Sequence, residues 1–268
     1  MKDMTRQFIR RLVGQERLRQ ADLISRLVRR ELAVKYRGSV LGYLWSMVNP
    51  LLFMAIISVV FSYVVRDIPS YHLYVLSGIL FWNLTSNSIL GGTHAIVGGA
   101  SLLRKVRMPV WIFPIVPLLT FSINFLLALI PYSLVFLMTG PEVTPNVWQL
   151  PMVLCLFVVF LSGVCLALSS LNVFFRDVGH VIEPLLVMAM YGTPVIYDRH
   201  KPGFPEKVSN VLGFNPITHF VEAGRSCLFT AEPLAASSWM RLLALAAVSI
   251  CVGLLIYKRL KDKFIFNL

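Results

Sequence analysis

Apolar runs long enough to cross a lipid bilayer recur six times in this chain of 268 residues, and that recurrence constrains the fold more than any single motif. They extend from Leu41 to Val65, His72 to Ala100, Val110 to Met138, Leu150 to Val173, Val181 to Tyr197 and Ser238 to Tyr257. In hydrocarbon every backbone N–H and C=O needs a partner within the protein, so each run is expected to be a helix. Composition agrees. Hydrophobic residues make up 57% and charged residues 14%, where a soluble domain carries about 25% charged residues to coat its surface. The expected fold class is an all-α membrane protein with six transmembrane helices. Pro109, Pro114, Pro117 and Pro131, in and around the third run, predict kinks there.

The net charge of +12 would point to nucleic acid in a soluble protein, but its placement follows topology instead. With six spans both termini lie on one side, and that side collects nineteen of the 25 Lys and Arg residues. Short loops rich in Lys and Arg stay cytoplasmic, so both termini are expected there and no nucleic-acid partner is called for. Residues 1 to 38 remain charged throughout, unlike the short basic stretch and apolar core of a secretory signal. The expected setting is the inner (plasma) membrane of a bacterium.

Three regions follow. Residues 1–40 form a cytoplasmic N-terminal region, 41–257 the six-span domain, and 258–268 a cytoplasmic tail. Within residues 20 to 37, Leu23, Ile24, Leu27, Val28, Leu32 and Val34 share one half of a helical wheel. Arg26, Arg29, Arg30 and Arg37 share the other, with Lys35 the exception. Such a helix lies in the membrane interface and attracts anionic lipid. The stretch 198–237, between the fifth and sixth runs, holds four prolines, yet Ile217, Phe220, Val221, Gly224 and Leu228 recur at helical spacing. It is expected to form short gate helices on the outer side, with Ile217, Phe220, Glu222 and Arg225 as gate residues. Glu222 and Arg225, three apart, are expected to pair on one helix face.

The missing chemistry discriminates between functions. No GxxxxGK[ST] phosphate cradle occurs, so the chain is not expected to hydrolyse ATP. GxSxG and HExxH are absent too, and Cys155, Cys165, Cys227 and Cys251 have no metal-type spacing with His. No catalytic residue, metal or cofactor is expected in this chain. The ionisable candidates near the spans, His72, His94, Asp177, His180 and Glu183, all sit near span ends. A proton-driven carrier places such groups near the bilayer centre, so energy is expected from outside the lipid. A membrane glycosyltransferase or acyltransferase would need acid, base and cation clustered at one depth, and the sequence offers no such cluster. The deeper aromatics Phe53, Phe61, Tyr63, Phe81 and Tyr191 are candidates for a substrate path that stacks on sugar rings; lipid or core packing is the alternative.

Four pieces, in order, carry a resemblance: RRELAVKYRGSVLGYLWSMVNPLL at 29 to 52, LNVFFRDVGH at 171 to 180, GTPVIY at 192 to 197 and FNPITHFVEAGR at 214 to 225. The chain resembles the permeases of polysaccharide ABC exporters of the type-2 class over its whole length. FFRDV with TPVIY looks closer to the O-antigen and teichoic-acid branches than to the capsule branch. The resemblance implies an exporter of lipid-linked polysaccharide, O-antigen being the first choice. Capsule or teichoic acid, or a small molecule or drug in the same transporter class, are the alternatives. It also implies a homodimer of this chain bound to two copies of a separate ABC ATPase, which binds the ATP and Mg. Two cytoplasmic segments are then expected to couple to that ATPase. One carries Arg104, Lys105 and Arg107; the other carries Phe174, Phe175, Arg176 and Asp177, its two aromatics exposed for the partner's groove.

Overall fold

The computed structural model describes residues 2–61, 70–106, 108–139, 146–229 and 233–267. Side chains are described from residue 16 on, apart from those of Arg17, Ser58, Phe61, Ile265 and Phe266. All regular structure among the described residues is helical. Two units are distinguished, residues 1–42 and 43–268.

The first unit is one long helix, α1 (Lys2–Lys35), and the turn that follows. It starts well before the expected residue 20. Arg26, Arg29, Arg30 and Arg37 are exposed, and Asp22 pairs with Arg26 one turn on at 3.0 Å. Val34, expected on the apolar half, is exposed as well. The unit closes through Gly38 at φ +73° and Gly42 at φ +49°, a left-handed backbone that glycine adopts without a Cβ clash.

The second unit is the helical body: α2 (Trp45–Phe61), α3 (Tyr71–Gly98), α4 (Ala100–Lys105), α5 (Ile112–Thr139), α6 (Leu150–Phe174), α7 (Asp177–Tyr191), α8 (Glu206–Gly213), α9 (Pro216–Leu228), α10 (Ala236–Leu260) and α11 (Phe264–Asn267). Among the described residues, four stretches are long and apolar enough to span a membrane: 71–105, 112–139, 147–174 and 236–263. They match the second, third, fourth and sixth expected runs within a few residues. The first and fifth runs yield α2, of 17 residues, and α7, of 15. Residues 62–69, which end the first run, lie outside the described residues.

The body is organised around α3, which is buried along most of its length, whereas α10 is mostly exposed. Close approach comes from small residues. A Cβ on Gly92 would stand 2.7 Å from the Cys165 sulfur of α6, and one on Gly91 would stand 3.0 Å from Pro117 of α5. Between α6 and α10 the backbones touch: a Cβ on Gly163 would collide with the Ser249 main chain, and one on Gly253 with that of Gly163. Ser249 Oγ donates to the Phe160 carbonyl there at 2.7 Å. Association in lipid lacks a hydrophobic drive and depends on such small-residue packing and interhelical hydrogen bonds. Gly91 and Gly92 are in this way part of a packing surface. Buried Thr85, Thr93, Thr120 and Ser170 donate to carbonyls four residues back in their own helices, so α3, α5 and α6 carry polar side chains inside without leaving these hydroxyls unpaired.

Candidate functional site

The predicted gate and coupling residues that the structure describes gather at opposite ends of α3. Tyr74 and Thr93, which mark those ends, are separated by roughly 28 Å at about 1.5 Å per residue, close to the thickness of a hydrocarbon core. Helix α7 runs antiparallel beside α3. Its start packs at one end, Gly179 against the His94 ring, and the turn beyond it packs at the other, Val195 against Gly78.

At the first end, α9 is locked onto three helices. Its start is capped by Asn215, whose side-chain oxygen accepts from the Ile217 amide at 3.0 Å, with Pro216 in the first turn where its missing N–H costs nothing. Phe220 is fully buried and stacks on Phe157 of α6 at 4.8 Å between ring centroids, with Phe160 at 5.0 Å. Gly224 lies flat against the Phe81 ring, where any Cβ would overlap it. The Leu228 carbonyl accepts from the Tyr132 hydroxyl of α5 at 2.9 Å. Phe81, itself fully buried, sits edge-on to Phe125. Phe81 and Phe220, expected on a path and at a gate, are both fully buried and packed against neighbouring helices. Their helical spacing marks burial, and burial alone cannot distinguish a core from a lumen.

Arg225 decides how this end is held. It is 6% exposed, and its guanidinium lies 3.6 Å from the Tyr74 ring centroid. One nitrogen donates to the Tyr74 hydroxyl at 2.7 Å, and another to the Pro194 and Val195 carbonyls, each at 2.9 Å. The Tyr74 hydroxyl in turn donates to the Tyr197 carbonyl, Tyr71 donates to that of Ile196, and Asn215 donates to that of Gly192. The whole GTPVIY turn is thus held through its carbonyls by α3 and α9. A turn with this many open acceptors needs donors that reach in from elsewhere, which a planar five-donor fork supplies.

Glu222 does not pair with Arg225. Its carboxylate takes a bidentate pair from Arg199, 23 residues back, with the second bond at 2.8 Å, and Arg199 also donates to the Ser209 carbonyl of α8. This bonding to Glu222 raises the Arg199 pKa above its usual value. Spacing on one helix could not reveal the pairing, because both partners had better acceptors and donors in other segments. Ile217 is half-buried against the core.

At the opposite end, Asn172 ties three elements together. Its amide donates to the Thr93 carbonyl of α3 at 3.1 Å, and its oxygen accepts from the Gly179 amide of α7 at 2.9 Å. The two aromatics of FFRDV part company. Phe175 is 65% exposed, but Phe174 turns inward to Phe264 at 5.9 Å. The expectation of two exposed aromatics is corrected: Phe174 ends α6 and falls on its core side. Around Phe264, Ile96, Phe113 and Val173 form a cluster that also takes up Leu102 and Leu103 of α4 and Tyr257 and Leu260 of α10. Arg104 and Lys105, in the last turn of α4, are exposed beside it, as are Arg176 and Asp177 at the start of α7. Sequence inspection missed both Asn172 and Phe264; neither stands in a periodic pattern.

Of the aromatic path residues, Phe53 and Tyr191 are exposed. Phe53 borders a cleft of about 250 Å³ between α2, α3 and the end of α7, with Asn49, Asn83 and Trp82. The Phe61 side chain, Tyr63 and Arg107 lie outside the described residues. No group of His, Cys, Asp and Glu fit to hold a metal occurs among the described residues.

A helical body with four membrane-length apolar stretches among the described residues is that of a multi-pass membrane protein. Residues 22–229 match the model of the ABC-2 type transporter family. The chain is 31% identical over 247 residues to the O-antigen export system permease protein RfbA of Klebsiella pneumoniae, covering 91% of this chain and 93% of that one. It is 34% identical over 235 residues to the RfbA of Myxococcus xanthus, covering 85% and 87%. It is also 24% identical over 250 residues to the polysialic acid transport protein KpsM of Escherichia coli, covering 88% and 92%. The chain belongs to the ABC-2 type transporter family.

Proposed function

We propose that this chain is the permease subunit of an ATP-driven exporter that carries a lipid-linked polysaccharide, of the O-antigen class, from the cytoplasm across the inner membrane. The observation that carries the reading is its likeness to O-antigen export permeases along nearly the full length of both chains. The weaker identity to a polysialic acid transport protein favours the O-antigen branch over the capsule branch.

In this reading the chain spans six times, α2 and α7 being the two shorter crossings, with both termini in the cytoplasm. Two copies pair, and each binds one copy of a separate ABC ATPase that holds ATP and Mg. Exposed Phe175, Arg176, Asp177, Arg104 and Lys105 meet the ATPase. Movement there passes into the bundle because α4, the end of α6 and α11 share the Phe264 cluster, and because Asn172 fastens α7 to α3. At the outer end α8 and α9 move as one block with the GTPVIY turn, since Arg225 and Arg199 tie them to it. The gate is this clamped block rather than the Phe220 side chain. Phe53 and Tyr191 remain candidates for contact with sugar rings. α1 lies in the cytoplasmic interface on anionic lipid.

The test is reconstitution. The purified chain alone should show no ATP hydrolysis above a contaminant control, and should support hydrolysis and glycan export with its ATPase subunit. Hydrolysis by the isolated chain, or normal surface polysaccharide in cells lacking it, would overturn the assignment.

A further inference from the structure

A polar cavity of about 420 Å³ lies between α9 and the start of α10, apart from the cleft at Phe53. Its size is that of a small-ligand site, about 300–1,000 Å³. Arg225 and Arg241 both border it, together with Ser238 and His219. Neither guanidinium meets a carboxylate within ion-pair distance among the described residues. Arg225 is 94% buried, and its Nε has no hydrogen-bond partner. Glu222 also borders the cavity, but its charge is taken by Arg199. Asp198 is the other carboxylate there among the described residues, and it accepts from the His200 amide in its own turn.

Among the described residues, Arg241 faces a neutral partner. His219 donates through Nε2 to the Gly213 carbonyl at 2.9 Å, which leaves Nδ1 as an acceptor facing an Arg241 nitrogen at 3.4 Å. Burial, and then the Arg241 charge, hold the His219 pKa below its usual value. Burying the Arg225 cation without a counter-ion is costly, and an anion in the cavity would meet both guanidiniums. The helix that supplies Ser238 and Arg241 also carries a stripe of exposed apolar side chains on the Arg241 face, Val248, Val252 and Leu255, running away from the cavity. A pocket with two guanidiniums at the head of an apolar helix face matches a phosphate headgroup above its acyl chains.

We propose that this cavity binds the phosphate of a membrane lipid, with the tails laid along α10. The inference rests on the transmembrane reading of α10 and is distinct from any lipid contact made by α1. A soluble phosphate would share the headgroup chemistry but gain nothing from the apolar stripe.

The full chain, purified in detergent and delipidated, is titrated with phosphatidylglycerol and bound lipid counted by native mass spectrometry. A diacylglycerol with the same tails and inorganic phosphate serve as the other probes. Arg241→Gln removes one exposed guanidinium without touching the clamp and is expected to weaken phosphatidylglycerol binding roughly tenfold, the loss of one charge-assisted contact. Lys258→Gln, at the far end of α10, should bind like wild type. Three outcomes would each overturn the proposal: equal retention of diacylglycerol, equal loss in both variants, or inorganic phosphate binding as tightly as the lipid. The assay uses neither ATP nor glycan, so its failure leaves the exporter reading standing, and failed export leaves the lipid site standing.

Discussion

Replacing Arg225 with Met keeps most of the side-chain volume and removes every donor that holds the turn at 194–195. Three hydrogen bonds from a charged group are lost, each worth about 1.5–3 kcal/mol, along with a stacked contact on Tyr74 worth about 0.5–2 kcal/mol. Two carbonyls are left without that donor. Against this, the folded state no longer buries a cation, which offsets a large part of the loss. A net destabilisation of about 3 kcal/mol is expected. At about 2–4 °C per kcal/mol for a chain of this size, the melting midpoint in detergent should fall by roughly 6–12 °C. Arg225→Lys keeps the charge but not the planar fork, and should fall between Met and wild type. Hydrogen exchange should localise the change to residues 192–197 and α9, with the Thr93–Gly179 end unaffected. A Met variant that melts within about 2 °C of wild type, with unchanged exchange at 192–197, would refute the clamp.

Phe174→Ala and Phe175→Ala should behave oppositely: the first loses about 1–3 kcal/mol of stability by emptying the Phe264 cluster, while the second stays within about 0.5 kcal/mol yet lowers ATPase stimulation by the partner. Equal melting and equal stimulation in the two would contradict their assigned directions. Gly163→Ala should cost about 1–3 kcal/mol, because the new Cβ meets Ser249 main chain that cannot rotate away; thermal melting in detergent checks it. Phe220→Ala should cost about 3–5 kcal/mol, read by the same melting assay, and cause no ion leak in vesicles at temperatures where the protein stays folded. A leaky, thermally normal Phe220→Ala protein would restore the side chain as a gate.

The class of this protein was legible in its sequence because a bilayer imposes one-dimensional constraints. A span needs an unbroken apolar run, and α3, α5, α6 and α10 fall within a few residues of the runs that Leu, Ile, Val and Phe mark out. The start of α9 at Pro216 is set locally as well, since Asn215 and Pro216 act on their own neighbours. What a buried side chain faces was not. Phe220 and Phe81 have the spacing of a packed face whether that face closes a core or a channel, and only the surrounding helices place both in the core. Glu222 and Arg225 stand at pairing distance along a helix, but their partners are Arg199 and the carbonyls of a turn 30 residues away, brought near by the fold. Phe174 and Phe175 are chemically identical neighbours, and the end of α6 alone sends one inward and the other out. Local pattern determines which segments are helices and which faces are apolar. Which polar group answers which is decided in three dimensions, where burial makes every unmet donor and acceptor seek the nearest partner whatever its distance along the chain.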